Sequence, residues 1–218
     1  TVTDNGGLTS NADITITQLS AQIVTPPGTY GKIIHVNLYD GKTAYSNSQW
    51  NNWDVNSNLT SSNFSYDDNS SSAVYAYLSG HQRMIDNGSN YAFSATSCPY
   101  QVLQLNSIYT SDRDLTFYGL DNTKQYRIEL YASRANIVND TRFIIGNVSD
   151  TITIANNAAD FAKFNNVSPA NGKIKVTIQR LNTWPYLAGF RIIEQNVSIL
   201  SSSVSNPDFI TKENTTKT

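Results

Sequence analysis

Hydrophobic and polar residues alternate along much of the chain with a period of two, the period of a strand that buries one face. In the segment 33–39, the face that we expect to meet a core is wholly aliphatic, with Ile34, Val36 and Leu38. The opposite face includes His35 and Tyr39. Similar segments follow at short intervals, separated by Asn, Asp, Gly and Ser. We predict further strands at 72–80, 100–109, 114–120, 125–134, 141–146, 150–155, 160–167, 172–180 and 186–195.

This pattern predicts an all-β protein, folded as an antiparallel β-sandwich. No segment shows a helical hydrophobic period over ten residues, so we predict no helix. In the segment 125–134, Ile128 and Leu130 alternate with Arg127 and Glu129. We therefore expect one face of each strand to be solvated, as antiparallel sheets permit.

The alternation also divides the chain into parts. Two short alternating runs in 1–17 flank the turn sequence Asp-Asn-Gly-Gly at 4–7, which predicts a hairpin. The segment 18–31 contains Pro-Pro-Gly at 26–28 and is interpreted as a linker. The sandwich is expected to span 32–196. The Ser- and Thr-rich segment 197–218 is interpreted as a linker to another module or a disordered end.

Composition narrows the class of protein. Charged residues make up 15% of the 218 residues and aromatic residues 11%, with thirteen Tyr. This polar but weakly charged composition is typical of a secreted or cell-surface β protein. With a net charge of −2 and scattered Lys and Arg, we expect no nucleic-acid partner. Its apolar runs fall far short of the ~20 residues that cross a bilayer, and we expect no membrane span.

The candidates for catalysis are few. There are three Glu residues, Glu129, Glu194 and Glu213, and we interpret each as a solvated or paired surface charge. No nucleophile elbow, metalloprotease helix, phosphate loop or dinucleotide motif is present in the sequence. The single cysteine, Cys98, excludes an internal disulfide and is expected to be a small packed side chain.

A calcium ion is the one cofactor that the sequence suggests. Asp54, Asn56 and Asn58 reproduce the first ligand spacing of a calcium loop. However, Leu59 stands where that loop requires glycine, and Ser65 stands where it requires the bidentate Glu. No cofactor is required by any motif, and the alternative is a structural calcium whose ligands the sequence does not assign.

Aromatic residues in polar segments are the best candidates for binding. Trp50 and Trp53 lie in 45–58, a run so rich in Asn and Ser that we predict a solvated loop. A strand would send these rings to opposite faces, whereas a loop presents both on one side. With Asn52 beside them, they form the pattern that a sugar requires, because its C–H face stacks on indole and its hydroxyls bond amides. The alternative is that a ring such as Trp53 closes the end of the sandwich.

A second set of candidates lies near the end of the predicted sandwich. Trp184 precedes Pro185, with Tyr186 close by, on a connection that can bring a second aromatic loop to the same site. Arg134 ends a predicted strand and can donate paired hydrogen bonds to hydroxyls or to a uronate. Its alternative role is an ion pair with Asp121 or Asp140. Tyr39, at the end of the first strand, completes the candidate set.

Two resemblances add to this interpretation. The phrases "TVTDNGG" and "ADITI" in 1–17 resemble the last two strands of a polycystic-kidney-disease-type (PKD) domain, a spacer in secreted bacterial polysaccharide-degrading enzymes. The phrases "WNNW", "GLDNTKQYRIELYASRAN" and "YLAGFRIIE" in 32–196 resemble galactose-binding-like jelly-roll modules. The second resemblance implies a glycan site in loops at one edge or on a concave sheet face. It supports Trp50, Trp53, Arg134 and Trp184, whereas no calcium ligands of that family can be placed.

Together these expectations describe a non-catalytic carbohydrate-binding module. It would be monomeric, secreted or surface-bound in a bacterium, bind a polysaccharide or oligosaccharide, and target an attached catalytic domain. One alternative is an adhesion or spacer domain of a large surface protein, whose aromatics serve packing or protein contact. Another is a small esterase or lyase, which the missing catalytic residues disfavour.

Overall fold

A computed structural model describes residues 2–3, 9–10, 30–42 and 44–195, in two compact units. One unit comprises 1–25 with 198–218, and the other comprises 26–197. In the first unit, β1 (Val2–Thr3) and β2 (Thr9–Ser10) pair antiparallel around the predicted hairpin turn. The turn itself, most of the predicted linker, the tail 197–218 and Glu213 lie outside the described residues. The PKD assignment and the predicted domain boundaries stay predictions.

The second unit is the expected β-sandwich. Its elements are β3 (Tyr30–Tyr39), β4 (Trp50–Asp54), β5 (Tyr75–Leu78), β6 (Arg83–Asp86), α1 (Tyr100–Gln104), β7 (Leu105–Ile108), β8 (Arg113–Tyr118), β9 (Gln125–Tyr131), β10 (Asp140–Ile145), β11 (Val148–Thr153), β12 (Ala162–Val167), β13 (Ile174–Arg180), β14 (Tyr186–Leu187) and β15 (Gly189–Gln195). No helix within the described residues has the length and hydrophobicity needed to cross a membrane.

Two five-stranded sheets form the sandwich, with strand orders β12-β9-β15-β3-β4 and β11-β10-β13-β8-β5. We call them the β3 sheet and the β8 sheet. A smaller sheet has the order β14-β7-β6. The pairing is antiparallel except between β3 and β4, which run parallel. The all-β antiparallel sandwich is confirmed, with this one parallel edge.

The core lies between the two large sheets. Ile34, Val36 and Leu38 are buried there, as the alternation predicts. The ring of Phe190 on β15 joins the sheets, because its centroid lies 5.0 Å from that of Phe117 on β8 and 5.9 Å from that of Phe64. Burial of side chains of this size is the main stabilisation of such a sandwich.

The segment 45–58 is only in part the solvated loop that its composition predicts. Residues 45–49 and 55–58 lie outside strands, but residues 50–54 form edge strand β4. Asn51 explains how an Asn-rich segment can do so, since its side chain bonds backbone on both sides of the strand. Its Nδ2 donates to the carbonyl oxygens of His35 at 2.9 Å and Ser65 at 2.8 Å, and its Oδ1 accepts from the Ser65 amide at 2.8 Å. Asparagine here supplies the strand's lateral bonds.

The predicted strand at 100–109 is half wrong, because it begins as helix α1 and continues as β7. Val102 and Leu103 are consecutive and both buried, which a strand with one buried face does not allow. Pro99 precedes the helix with φ −52°, a geometry suited to a helix start. Strand β6 was not predicted, since its residues show no alternating burial.

Residues 91–104, which we call the cover segment or the cover, pack on the outer face of the β3 sheet, the face turned away from the core. They bury a second hydrophobic cluster, which we call the cover cluster: Trp50, Cys98, Val102, Leu103, Tyr131 and Ala188. Gly189 permits the approach, because a Cβ there would lie 2.7 Å from Val102 Cγ1. Cys98 is buried as expected, and burial raises the pKa of its thiol to about 12. The cover segment therefore shields part of the outer face of the β3 sheet from solvent.

Gly119 is a position where the fold requires glycine. Its φ is +74°, and an added Cβ would lie 2.1 Å from the carbonyl oxygen of Ala73. Gly146 has φ +57° but no atom within 4 Å of such a Cβ.

We expect Gly146→Ala to cost about 1–2 kcal/mol from backbone strain alone. Gly119→Ala should cost at least about 3 kcal/mol in urea unfolding, because a backbone clash is added. Equal costs would contradict this packing.

Candidate functional site

Both tryptophans of β4 are buried, so the prediction that their rings lie open to solvent is wrong. Trp50 is 6% exposed and Trp53 is 4% exposed. Their spacing on a strand sends them to opposite faces. Trp53 packs in the core, with its ring centroid 6.4 Å from that of Phe64, and Trp50 packs in the cover cluster. The alternative role considered for Trp53, as a packing ring, is the one that the structure gives.

Three predicted site residues nevertheless meet at the β4 edge. Tyr39, Asn52 and Trp53 line a cavity of about 290 Å³. The Asn52 side chain is already occupied there. Its Oδ1 accepts from the Tyr45 amide at 2.8 Å and from Asn37 Nδ2 at 2.9 Å, and its Nδ2 donates to the Tyr45 carbonyl at 3.0 Å. These bonds hold the connection before β4 in place, so this amide has little capacity left for a ligand.

Arg134, Trp184 and Tyr186 form a separate group near the small sheet. Trp184 is partly buried, and the Arg83 guanidinium lies 5.5 Å from its ring centroid. Tyr186 is 1% exposed, which raises the pKa of its phenol by burial. Arg134 Nη1 donates to the Asp86 carbonyl at 3.1 Å and to Asn87 Oδ1 at 2.7 Å. Arg134 therefore anchors a loop, and this contact replaces the ion pairs considered for it.

The calcium spacing at 54–58 forms a turn closed by Asp54. Asp54 Oδ1 accepts from the Asn56 amide at 3.1 Å and the Ser57 amide at 3.3 Å, while Oδ2 accepts from the Ser57 hydroxyl at 2.5 Å. Within the described residues, no group of three or more His, Cys, Asp or Glu is placed to hold a metal ion. A structural calcium stays a prediction without assigned ligands.

A row of paired polar and charged side chains forms another candidate site, on the outer face of the β3 sheet beside the cover segment. Register places one row of side chains across five strands, with Glu129 opposite both Lys163 and Arg191, Arg191 opposite His35, and His35 opposite Trp50. The alternation had already put His35, Arg127 and Glu129 on the face away from the core. It gave no information on which residues are lateral neighbours, so this row was missed.

Glu129 is the centre of that row, and it is a buried charge rather than a solvated one. Its side chain is 4% exposed. Arg127 Nη2 pairs with Oε1, Arg191 Nη1 lies 3.5 Å from Oε2, and the Tyr131 hydroxyl donates to Oε2 at 2.6 Å. A carboxylate removed from water requires such partners, because an uncompensated buried charge costs several kcal/mol, on the order of 3–5. Glu194 is likewise buried and paired, with Lys124 Nζ at 2.7 Å.

Arg191 is held in one position by aromatic rings as well as by Glu129. Its guanidinium carbon lies 5.5 Å from the Trp50 ring centroid and 5.7 Å from that of Tyr131. His35 meets Trp50 edge to face, with centroids 4.9 Å apart. Trp50 thus contributes to this site as the support of two polar groups and not as a platform for a ligand.

A cavity opens beside these groups, which we call the outer pocket. It has a volume of about 300 Å³ and is lined by Ile33, His35, Arg127, Glu129, Arg191 and Ile193. Two buried polar atoms at the pocket, His35 Nδ1 and Arg191 Nε, have no hydrogen-bond partner in the described part of the protein. Buried polar atoms are normally paired, so such groups at a cavity point to a polar ligand.

Electrostatics make the outer pocket mildly positive. Burial and the nearby Arg191 lower the pKa of His35 to about 4, so the imidazole is neutral at pH 7. The two lining guanidiniums then exceed the single lining carboxylate by one charge. Two further charges of opposite sign act on the lining residues: Lys163 is the neighbour of Glu129 on β12, and Asp67 interacts electrostatically with His35. The pocket can therefore donate hydrogen bonds and attract a group of negative charge.

Comparison with known proteins adds no assignment. No protein-family model matches the chain, and no curated protein matches it. The solved structures that are similar include the plant peptide RALF23 in complex with FER and LLG2, and the plant receptor-like kinase FER. The first has 13% identity and a TM-score of 0.44, covering 84% of this chain and 44% of that chain. The second has 14% identity and a TM-score of 0.41, covering 73% and 41%. This chain spans less than half the length of either match.

Histidine burial predicts how stability depends on pH. Burial lowers the pKa of both His35 and His81 from 6.5 to about 4, so the unfolded chain binds more protons between these values. The free energy of unfolding should therefore fall as pH drops from 7 to 4, by about 1–2 kcal/mol per histidine after allowance for partial exposure. Urea unfolding at both pH values measures it. The double variant His35→Gln/His81→Gln should lose less stability, and a loss equal to that of the wild type would contradict the assignment.

Proposed function

We propose that the sandwich is a non-catalytic carbohydrate-binding module that holds a polysaccharide in the outer pocket. The observation that supports it is a pair of buried polar atoms without a described partner, His35 Nδ1 and Arg191 Nε, in residues that line one cavity on the outer face of the β3 sheet. In this proposal the module is a monomer secreted or displayed by a bacterium, and it keeps an attached enzyme near its substrate.

The chemistry of the pocket suits a sugar ring. Ile33 and Ile193 give it an apolar side, while His35 and Arg191 give it hydrogen-bonding groups. A pyranose has both requirements, because its C–H face is apolar and its hydroxyls need partners. The volume of about 300 Å³ is at the small end of the range for ligand sites, so one or two sugar units are the expected occupants.

Affinity at this pocket should be modest. Sugar hydroxyls are well hydrated in water, and little apolar area is available, so we expect dissociation constants of about 1 μM to 1 mM. Attachment to an enzyme compensates by raising the effective concentration of the enzyme at its substrate.

An adhesion or spacer domain remains the second candidate function. The observation that favours it is Phe93, which is 72% exposed on the cover segment and packs against Tyr100 with ring centroids 5.0 Å apart. An exposed aromatic side chain that packs on a second ring is a common element of protein contacts. In this account the domain would capture a protein and no glycan.

Affinity gel electrophoresis against a panel of soluble neutral and acidic polysaccharides tests the proposal. At least one polysaccharide should retard the wild-type domain. His35→Gln should weaken this binding about three- to tenfold, because one hydrogen bond is lost. His81→Gln is the matched control and should bind as the wild type does, since His81 bonds Asn56 and Ser107 away from the pocket residues. Absence of retardation by every polysaccharide, or equal weakening in both variants, would refute the proposal.

A further inference from the structure

Resting on this proposed function, we infer that the outer pocket selects an acidic polysaccharide and binds the carboxylate of a uronic acid through Arg191. The inference concerns the class of sugar, which the proposed function leaves open. It is carried by the charge balance, the orientation and the fixation of one guanidinium.

The charge balance comes first. Glu129 has both carboxylate oxygens occupied, Oε1 by Arg127 and Oε2 by Tyr131 and Arg191. One positive charge therefore remains among the lining residues, at a site where neighbouring side chains exclude part of the water. A single carboxylate on the sugar would balance this formal charge through Arg191, an attraction that a neutral sugar cannot supply.

Arg191 also has a donor, Nε–H, without a partner in the described protein. Its Nη1 faces Glu129 at 3.5 Å, and its Nε is buried. A guanidinium binds a carboxylate through two adjacent N–H groups, and such paired bonds are stronger than bonds to a hydroxyl. His35 Nδ1, on the neighbouring strand of the same row, can complete the contact with a ring hydroxyl.

The guanidinium is fixed before any ligand arrives. Its carbon lies 5.5 Å from the ring centroid of Trp50 and 5.7 Å from that of Tyr131, and Glu129 restrains it further. A side chain already held in place loses little rotational freedom on binding, which favours selectivity for an anion over a flexible surface lysine. The buried carboxylate and the cover cluster thus both serve to orient one donor.

A glycan carboxylate fits this pocket better than an acidic peptide. Ile33 and Ile193 leave apolar surface beside the donors, which a sugar ring can cover while its carboxylate reaches Arg191. A Glu or Asp side chain would bring the charge without a ring to cover that surface. This difference supplies the control for the experiment.

Titration calorimetry with polygalacturonate, alginate and glucuronoxylan, each beside its carboxyl-reduced form, tests the inference without changing the protein. At least one acidic polysaccharide should bind, and reduction of its carboxyl groups should weaken binding at least tenfold. Polyglutamate of similar charge should bind at least tenfold more weakly than that polysaccharide. The variant Arg191→Lys keeps the charge beside Glu129 but lacks Nε–H, and it should lose about tenfold on the acidic probe. Arg142→Lys, on β10 of the β8 sheet, is the matched control and should lose nothing.

Each other outcome overturns a defined part of the account. Equal binding of the acidic and reduced forms, or binding of neutral polysaccharides alone, would refute the selectivity for uronic acid. The proposed carbohydrate-binding function would still stand. Equal binding of polyglutamate shows that charge alone is recognised. Absence of binding to any polysaccharide, acidic or neutral, removes the proposed function itself. An unchanged affinity of Arg191→Lys for the acidic polysaccharide would show that Arg191 does not bind the carboxylate.

Discussion

A carboxylate in a nearly dry position must be surrounded by donors, and Glu129 meets this requirement on the outer face of the β3 sheet. Its partners come from its own strand and from β15, so its burial ties neighbouring strands together through their side chains. Replacing only one partner would leave a buried charge poorly compensated. The position of Arg191, and with it the outer pocket, depends on this arrangement.

The cover segment makes the arrangement possible. A sheet face open to water would screen the ion pairs and leave their side chains mobile. By packing Val102 and Cys98 against Trp50 and Tyr131, the cover removes water from one side of the charged row. The same aromatic rings then contact Arg191 from the side. Packing of the cover segment therefore limits the outer pocket on one side, shields the charged row from water and orients the Arg191 guanidinium.

Much of the fold follows from the sequence, because alternation reports burial directly. Most strands of the sandwich and the core face of β3 were predicted in this way, whereas the packed Cys98 was expected because the sequence has no second cysteine to pair with it. The strand β4 was not, since the hydrogen bonds of Asn51 to the backbone of His35 and Ser65 are long-range and leave no local pattern. Composition alone therefore placed Trp50 and Trp53 in a loop, although their spacing indicated opposite faces on a strand.

The candidate site was missed for a related reason. Alternation assigns His35, Arg127 and Glu129 to the outer face, but a site requires knowing which strands are neighbours and in what register. Arg191 lies between Glu129 and His35 only because β15 pairs with both β9 and β3. The same limit applies to Arg134. One of its partners, Asp86, ends strand β6, which the sequence pattern does not predict, and the other, Asn87, is the next residue.

The central claim is that Arg191 Nε is a fixed donor awaiting an acidic sugar. Proton–nitrogen NMR of the arginine Nε–H groups, recorded during titration with an acidic oligosaccharide that the domain binds, tests it most directly. The account predicts that the Arg191 signal is already sharp in the free protein and moves on binding, while the Arg142 signal stays in place. An Arg191 signal that does not move at saturation would contradict the account.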